Sequence, residues 1–323
     1  MILDIRDLHT CFLSDRSVVR AVNGVSLTVR QGETVALVGE SGCGKSATAL
    51  SILRLVPPPG RITKGRILFD GEDLLKKPEA EMRQIRGRRI GMVFQDPLAV
   101  LNPTLSVGGQ IAETLKVHGI ARGSAARERS IELMGAMGIP AARERFHSYP
   151  HELSGGMRQR VVIAIAVACE PDLLIADEPT TALDVTLQAQ IMDLLTRLKS
   201  ERGLAILLIT HDFGIVAQFA DRAAVMYAGQ VVEEGQVADI ITEPLHPYTQ
   251  GLLRCVPRLG RLDEEIAPIE GNVPDMASPS RGCCFAPRCS YTMERCLVEM
   301  PALITCGDNR TVRCHLYDTD ENP

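Results

Sequence analysis

The sequence predicts an α/β fold, a twisted, largely parallel sheet buried between helices, with a helical insertion and a small cysteine-rich tail. Three observations carry this. Short, fully apolar runs such as "PDLLIADE" (Pro171 to Glu178) and "GLAILLITH" (Gly203 to His211) have the character of strands covered on both faces. Residues from about Pro97 to Val161 lack strand signals and read as helical. Beyond about Gly260 the composition turns to Pro, Ser, Gly and Cys, with prolines at 268, 274, 279 and 287 opposing regular elements.

Taken in chain order, "ETVALVG" (Glu33 to Gly39) is a strand that ends in glycine, and "SATALSILRLV" (Ser46 to Val56) follows with helical spacing. The two later strands flank "VTLQAQIMDLLTRLKSERG", an amphipathic crossover helix closed by Gly203. "AAVMYAGQVVEEG" (Ala223 to Gly235) alternates about a glycine turn, as a hairpin does. The expected division is a main unit over 1–258, with its helical part at about 97–161, and a separate, loop-rich unit over 259–323.

Bulk properties narrow the function. The 323 residues suffice for one large α/β unit and an appendage, and the net charge of −5 opposes a nucleic-acid surface. Aromatics make up 4% with no Trp, which leaves little for base-stacking platforms. The basic run "RQIRGRR" (Arg83 to Arg89) reads as a solvated surface segment. No apolar run reaches the ~18 residues that span a bilayer, and "MILDIRDLHT" has no signal-peptide core. The expectation is a soluble, cytosolic protein that serves a membrane only through a partner.

The chemistry begins at "GESGCGKS", which fits G-x-x-x-x-G-K-[ST] after a strand and before a helix. The backbone of Gly39, Glu40, Ser41, Gly42, Cys43 and Gly44 can curl so that amides face phosphate oxygens. Lys45 supplies a cation to the β- and γ-phosphates, and Ser46 a hydroxyl to Mg²⁺. In "LLIADE", Asp177 can hold magnesium through water, while Glu178 can orient or deprotonate an attacking water. His211 ends the neighbouring strand, within reach of a γ-phosphate. Gln95 in "MVFQDP" stands between core and insert, where an amide can couple Mg²⁺ contact to motion of that insert.

A second glycine turn, "HELSGGMRQRVVIA" (His151 to Ala164), exposes amides at the start of an apolar helix, which makes an anion site. Because ligand loops gather at the carboxyl ends of strands, a turn on the insert reads as covering the γ-phosphate of a second, facing subunit. With this element in place, "GESGCGKS", "MVFQDP", "LSGGMRQR", "LLIADEPTTALD" and "LLITHD" resemble, in order and spacing, the nucleotide-binding subunit of ABC transporters over about residues 1–255. The resemblance implies a P-loop NTPase with a RecA-like core, an antiparallel β subdomain and an inserted helical subdomain. It implies that Ser154, Gly155 and Gly156 contact the partner's γ-phosphate and that Asp184 links the two sites. Gln95 would lie at the contact with the membrane subunits, and His211 would be the switch histidine. The family stacks adenine on an aromatic ring; at that spacing this chain has Arg16, with Phe12 a few residues earlier.

Six of the ten cysteines, Cys283, Cys284, Cys289, Cys296, Cys306 and Cys314, lie in the tail. A reducing cytosol disfavours disulfides, so a metal is the leading reading. Cys283, Cys289, Cys296 and Cys314 offer four soft ligands suited to zinc or an iron–sulfur cluster, and spacing does not choose between them. "EPLHPYTQGLL" with "GCCFAPRCSYTMERC" and "RCH" resembles the C-terminal extension of oligopeptide/dipeptide permease ATPases. That group implies a [4Fe–4S] cluster in some members. It also implies ATP and Mg²⁺, a second ATPase chain (the same or different), two membrane-spanning permease subunits and an external solute-binding protein, at the cytoplasmic face of the inner membrane. The cargo expected is di- or oligopeptides. The alternatives are a nickel chelate, glutathione or an opine-like solute, or a soluble ABC ATPase outside transport.

Overall fold

The computed structural model describes residues 1–14, 17–181, 183–255, 269–277, 280–307 and 309–318. Its strands, in chain order, are β1 (Leu3–Leu13), β2 (Val18–Val29), β3 (Thr34–Val38), β4 (Gly60–Phe69), β5 (Glu72–Asp73), β6 (Ile90–Val93), β7 (Leu173–Asp177), β8 (Ala205–Thr210), β9 (Arg222–Tyr227), β10 (Gln230–Gln236), β11 (Ile304–Thr305) and β12 (Thr311–Val312). They form two sheets, a four-stranded β2-β1-β4-β5 and an eight-stranded β11-β12-β10-β9-β3-β8-β7-β6.

The apolar runs become the strands they predict. Every residue of β3, β7 and β8 is buried, because helices or the second sheet cover both faces. Strands β9, β3, β8, β7 and β6 run parallel; β10 returns antiparallel on β9 as the expected hairpin. The crossover helix Val185–Arg202 ends at Gly203 with φ 63, a left-handed backbone that glycine adopts without a Cβ penalty. The four-stranded antiparallel sheet closes over the Lys45–Ile52 helix, and one apolar core joins Leu8, Val25, Ile52, Ile67, Leu37 and Ile209. On the opposite face, the helices Val107–Val117, Gly123–Ala136 and Gly155–Val167 pack against β7 with the crossover helix. No strand interrupts 94–172, as its composition indicates.

Register decides where ligands can bind. Val38 of β3 lies opposite Thr210 of β8, and Asp177 of β7 opposite Ile209. The residues that follow therefore emerge level with one another, on three adjacent strands spaced about 4.8 Å apart.

The tail differs from the separate unit that composition suggests. Thr311 and Val312 pair with Glu234 and Glu233, so β12 and β11 extend the main sheet. Phe285 is 3% exposed, its ring 5.3 Å from that of Tyr227 and 5.4 Å from that of Tyr248. Arg310 donates to the fully buried Glu233 at 2.7 Å, and the same carboxylate accepts from the backbone of Leu245 and His246. The boundary expected at 258–259 lies outside the described residues. Among those residues, no helix is long and apolar enough to cross a membrane.

If Phe285 anchors the tail, Phe285→Ala will lower the stability of the whole chain by about 3–5 kcal/mol, the usual cost of emptying a buried phenylalanine site. Urea unfolding followed by circular dichroism checks this. A loss of only a few tenths would mean that the tail packs independently.

Candidate functional site

The loop between β3 and the Lys45–Ile52 helix is shaped by close backbone approach. A Cβ at Gly39 would lie 2.2 Å from the carbonyl oxygen of Met226, and one at Gly44, where φ is 106, would lie 2.0 Å from that of Ala21. Glycine is required at both, and the curl that results turns the loop amides toward the start of the helix. Lys45, 5% exposed, donates to the carbonyls of Gly39 at 2.8 Å and Glu40 at 2.9 Å. Both acceptors are backbone carbonyls, so no carboxylate occupies these hydrogen bonds.

Two strands over, at the end of β7, Asp177 and Glu178 take different roles. Asp177 is buried, and among the described residues its Oδ1 has no hydrogen-bond partner. Burial pushes its carboxyl above the ordinary aspartate value, and the charge of Glu178 adds to this against a hydrogen bond from Ser46. An orphaned carboxylate oxygen beside the Ser46 hydroxyl is the hard oxygen donor set that Mg²⁺ takes. The site thus fits the cation, with Asp177 and Ser46 as its nearest holders.

Glu178 is the hub of the site. Its backbone sits at φ 46, a left-handed conformation uncommon for a non-glycine residue. Gln95 Nε2 donates to its Oε2 at 2.9 Å, Thr181 Oγ1 donates to the same oxygen at 2.8 Å, and His211 Nδ1 lies 3.3 Å from Oε1. Burial raises its pKa, but the hydrogen bonds of Thr181 and His211 and the charges of His211 and Lys45 outweigh it, leaving the carboxyl below the ordinary glutamate value. A carboxylate kept ionised and aimed by three neighbours is suited to orienting water. The fold therefore brings Lys45, Ser46, Gln95, Asp177, Glu178 and His211 to one place. Thr181 escaped the sequence reading; its only sequence signal is its position three residues after Glu178.

The second glycine turn opens the Gly155–Val167 helix of the insert. Ser154 caps the Gly155–Val167 helix, accepting from the Met157 amide at 3.4 Å, and its carbonyl accepts from Arg158. A side chain at Gly155 would meet open space, whereas one at Gly156 would press on Leu187 at 2.9 Å. Asp184 caps the crossover helix through the Leu187 amide at 2.9 Å and is exposed, beside Val185 at 82% exposure. Phe12 packs over Gly60 of β4. Arg16 lies outside the described residues.

In the tail, Cys283, Cys289, Cys296 and Cys314 line one cavity, and Cys284 and Cys306 do not. Burial pushes the Cys283 thiol up to about 11 and that of Cys314 up to about 12. The metal centre expected of the four is not assembled: among the described residues no group of three or more His, Cys, Asp or Glu side chains is arranged to hold a metal.

A buried lysine at a glycine loop after β3, and a buried aspartate followed by an aimed glutamate at the end of β7 in the same parallel sheet, define a P-loop nucleoside triphosphatase. Comparison with known proteins narrows this. Residues 22–181 match the family model "ABC transporter", and residues 232–296 match "Oligopeptide/dipeptide transporter, C-terminal region". A dipeptide transport ATP-binding protein of Bacillus subtilis is 51% identical over 98% of this chain and 95% of its own length. The oligopeptide transport ATP-binding protein OppD of the same organism is 48% identical over 99% of this chain and 90% of its own length. Among solved structures, a dimeric ATP-binding cassette in a post-hydrolysis state, bound to ADP and Pi, superposes with TM-score 0.66 at 29% identity, over 73% of this chain and 98% of that one. The chain belongs to the ATP-binding subunits of ABC transporters and is an ATPase. The expected cassette architecture, antiparallel sheet included, is the one observed.

Glu178→Gln removes the ionised carboxylate and leaves the phosphate loop unchanged. Mg-ATP binding should persist while phosphate release falls about 10²–10⁴-fold, the usual worth of a general base. Equilibrium binding and steady-state hydrolysis on the full chain check this; near-normal hydrolysis would remove Glu178 from the role.

Proposed function

We propose that this chain is the ATP-hydrolysing subunit that energises import of di- and oligopeptides through membrane-spanning permease subunits. The convergence of Lys45, Asp177, Glu178 and His211 at the level ends of β3, β7 and β8 carries the ATPase half of this reading. The match of residues 232–296 to the peptide-transporter C-terminal region supports the cargo, as do the peptide transport proteins at about half identity. Lys45 and the Gly39–Ser46 amides bind the β- and γ-phosphates, and Ser46, Asp177 and Gln95 serve the cation. Mg²⁺, when bound, neutralises charge that develops on the phosphate oxygens. Glu178 orients the attacking water, and His211, at 61% side-chain exposure, turns toward the γ-phosphate. Gln95, bonded to Glu178 at the entry to the insert, passes occupancy of the site to the helices that face the permease.

The reading includes a second copy or a second ATPase chain. Ser154, Gly155 and Asp184 are exposed, and a side chain at Gly155 would meet open space. We assign them to the phosphate of the facing chain, in line with the dimeric state of the solved cassette relatives. Closure on ATP and reopening after hydrolysis would then drive the permease from its cytoplasmic face. Adenine contact falls to Arg16 or Phe12, and an external binding protein delivers the peptide. For the tail, we propose a soft metal or an iron–sulfur cluster, whose binding would draw together four thiols that line one cavity but form no ligand set among the described residues.

A deletion strain auxotrophic for an amino acid should fail to grow when that amino acid is supplied only as a dipeptide or short peptide, and re-expression should restore growth. Unimpaired growth would reject the peptide cargo. Ser154→Arg should leave each chain able to bind Mg-ATP yet abolish hydrolysis, and unchanged turnover would reject the two-chain site. Anaerobically purified full-length protein should contain iron and sulfide or zinc, depleted in Cys289→Ser. Absence of all three elements from the wild type would reduce the tail thiols to packing.

A further inference from the structure

The phosphate loop is tied to the cysteine-rich tail by one guanidinium. Arg288 Nη1 donates to Glu40 Oε2 at 2.7 Å and Nη2 to Glu40 Oε1 at 3.0 Å, a two-point pair across 248 residues of chain. The Arg288 side chain is only 4% exposed, and the remaining donors are spent on structure. Nε donates to the Glu270 carbonyl at 3.0 Å, Nη2 to that of Ile269 at 3.2 Å, and Nη1 to the Tyr227 hydroxyl at 3.4 Å. The hydrogen bonds to Glu40 head the causes that raise the Arg288 pKa. Glu40 is held on its other sides as well. Its amide donates to the Tyr248 hydroxyl at 2.9 Å, and its carbonyl accepts from Lys45 Nζ at 2.9 Å.

Glu40 therefore stands between the tail and the phosphate-binding lysine, so its placement sets that of a carbonyl that Lys45 must share or release when a phosphate arrives. The tail reaches the cassette near this loop a second time, where the Arg20 amide of β2 donates to the Met276 carbonyl, next to Ala21, whose carbonyl bounds Gly44.

We propose that Arg288 is a positioning residue of the nucleotide site, through which the C-terminal tail holds the phosphate loop in its ATP-binding shape. The proposal rests on the ATPase reading and adds to it a specific dependence of ATP affinity on the tail. Arg288 touches no reacting atom; it acts through Glu40 on Lys45, so its loss should appear in binding and not in chemistry.

The test uses full-length wild type, Arg288→Ala, Arg288→Lys, Glu40→Gln and the double variant Glu40→Gln/Arg288→Ala, titrated with Mg-ATP and assayed for phosphate release. Arg288→Ala and Glu40→Gln should each weaken Mg-ATP binding and raise KM about tenfold, the scale of one charge-assisted hydrogen bond, with kcat within about twofold of wild type. The double variant should bind no more weakly than the worse single one, because the pair acts as a unit, and Arg288→Lys should recover part of the loss. Unchanged affinity in Arg288→Ala, additive losses in the double variant, or a loss confined to kcat would overturn the proposal. Should Arg288→Ala fail to fold, Glu40→Gln and Arg288→Lys interrogate the same pair on an intact tail, and unchanged affinity in both would overturn it. Absence of Mg-ATP binding in the wild type would overturn the nucleotide-site reading itself, a separate result.

Discussion

The structure is organised around a buried lysine amine that, among the described residues, has no hydrogen-bonded carboxylate. Lys45 is almost enclosed and donates to two backbone carbonyls, so burial of its amine rests on neutral acceptors. Such a site is stable only if the surrounding backbone is held rigidly enough to keep those carbonyls in place. The loop achieves this by lying against the Met226 and Ala21 carbonyls at distances that exclude any side chain at Gly39 and Gly44. The two acids that stand nearest are divided by environment. Asp177 is pushed toward protonation by burial, whereas Glu178 is kept ionised by donors around it. An arriving triphosphate with its cation completes a charge distribution that is left open at Lys45 and at Asp177 Oδ1.

Parallel strand order turns this local chemistry into a site. β3, β8 and β7 are neighbours in the sheet although far apart in the chain, and their register delivers the loop, His211 and Glu178 at one level. Each strand is buried on both faces, so a slip of one residue would have to break an apolar core as well as a hydrogen-bond ladder. The rigidity of the sheet is thus what gives a site assembled from three separated segments its fixed geometry. Gln95 belongs to the more exposed end of the same arrangement, at the entry to the helical insert.

Besides the pairing of β12 with β10, the tail is joined to the cassette by side-chain contacts that reinforce one another. Aromatic packing of Phe285 on Tyr227 and Tyr248 removes apolar surface from water. The Arg310–Glu233 pair is buried and therefore demands its partner. The Arg288–Glu40 pair is the one that reaches the phosphate loop. Arg288 also precedes Cys289, one of the four thiols that share a cavity, so the wall of that cavity and the nucleotide loop are linked through adjacent residues.

Much of this was legible in the primary structure because it depends on short-range pattern. Apolar runs bounded by glycine specify buried strands, and Lys45 must follow its glycine loop directly for an ammonium to reach a phosphate. Asp177 and Glu178 must end a strand to point at it. The grouping of Cys283, Cys289, Cys296 and Cys314 apart from Cys284 and Cys306 was also readable, though an assembled ligand set was not present. Tertiary structure alone decided that Thr181 joins Gln95 and His211 on Glu178, that the tail enters the main sheet, and that Arg288 grips Glu40. Contacts of that kind leave no trace in spacing, since an ion pair between residues 40 and 288 depends on how distant surfaces pack and on no local conformational preference.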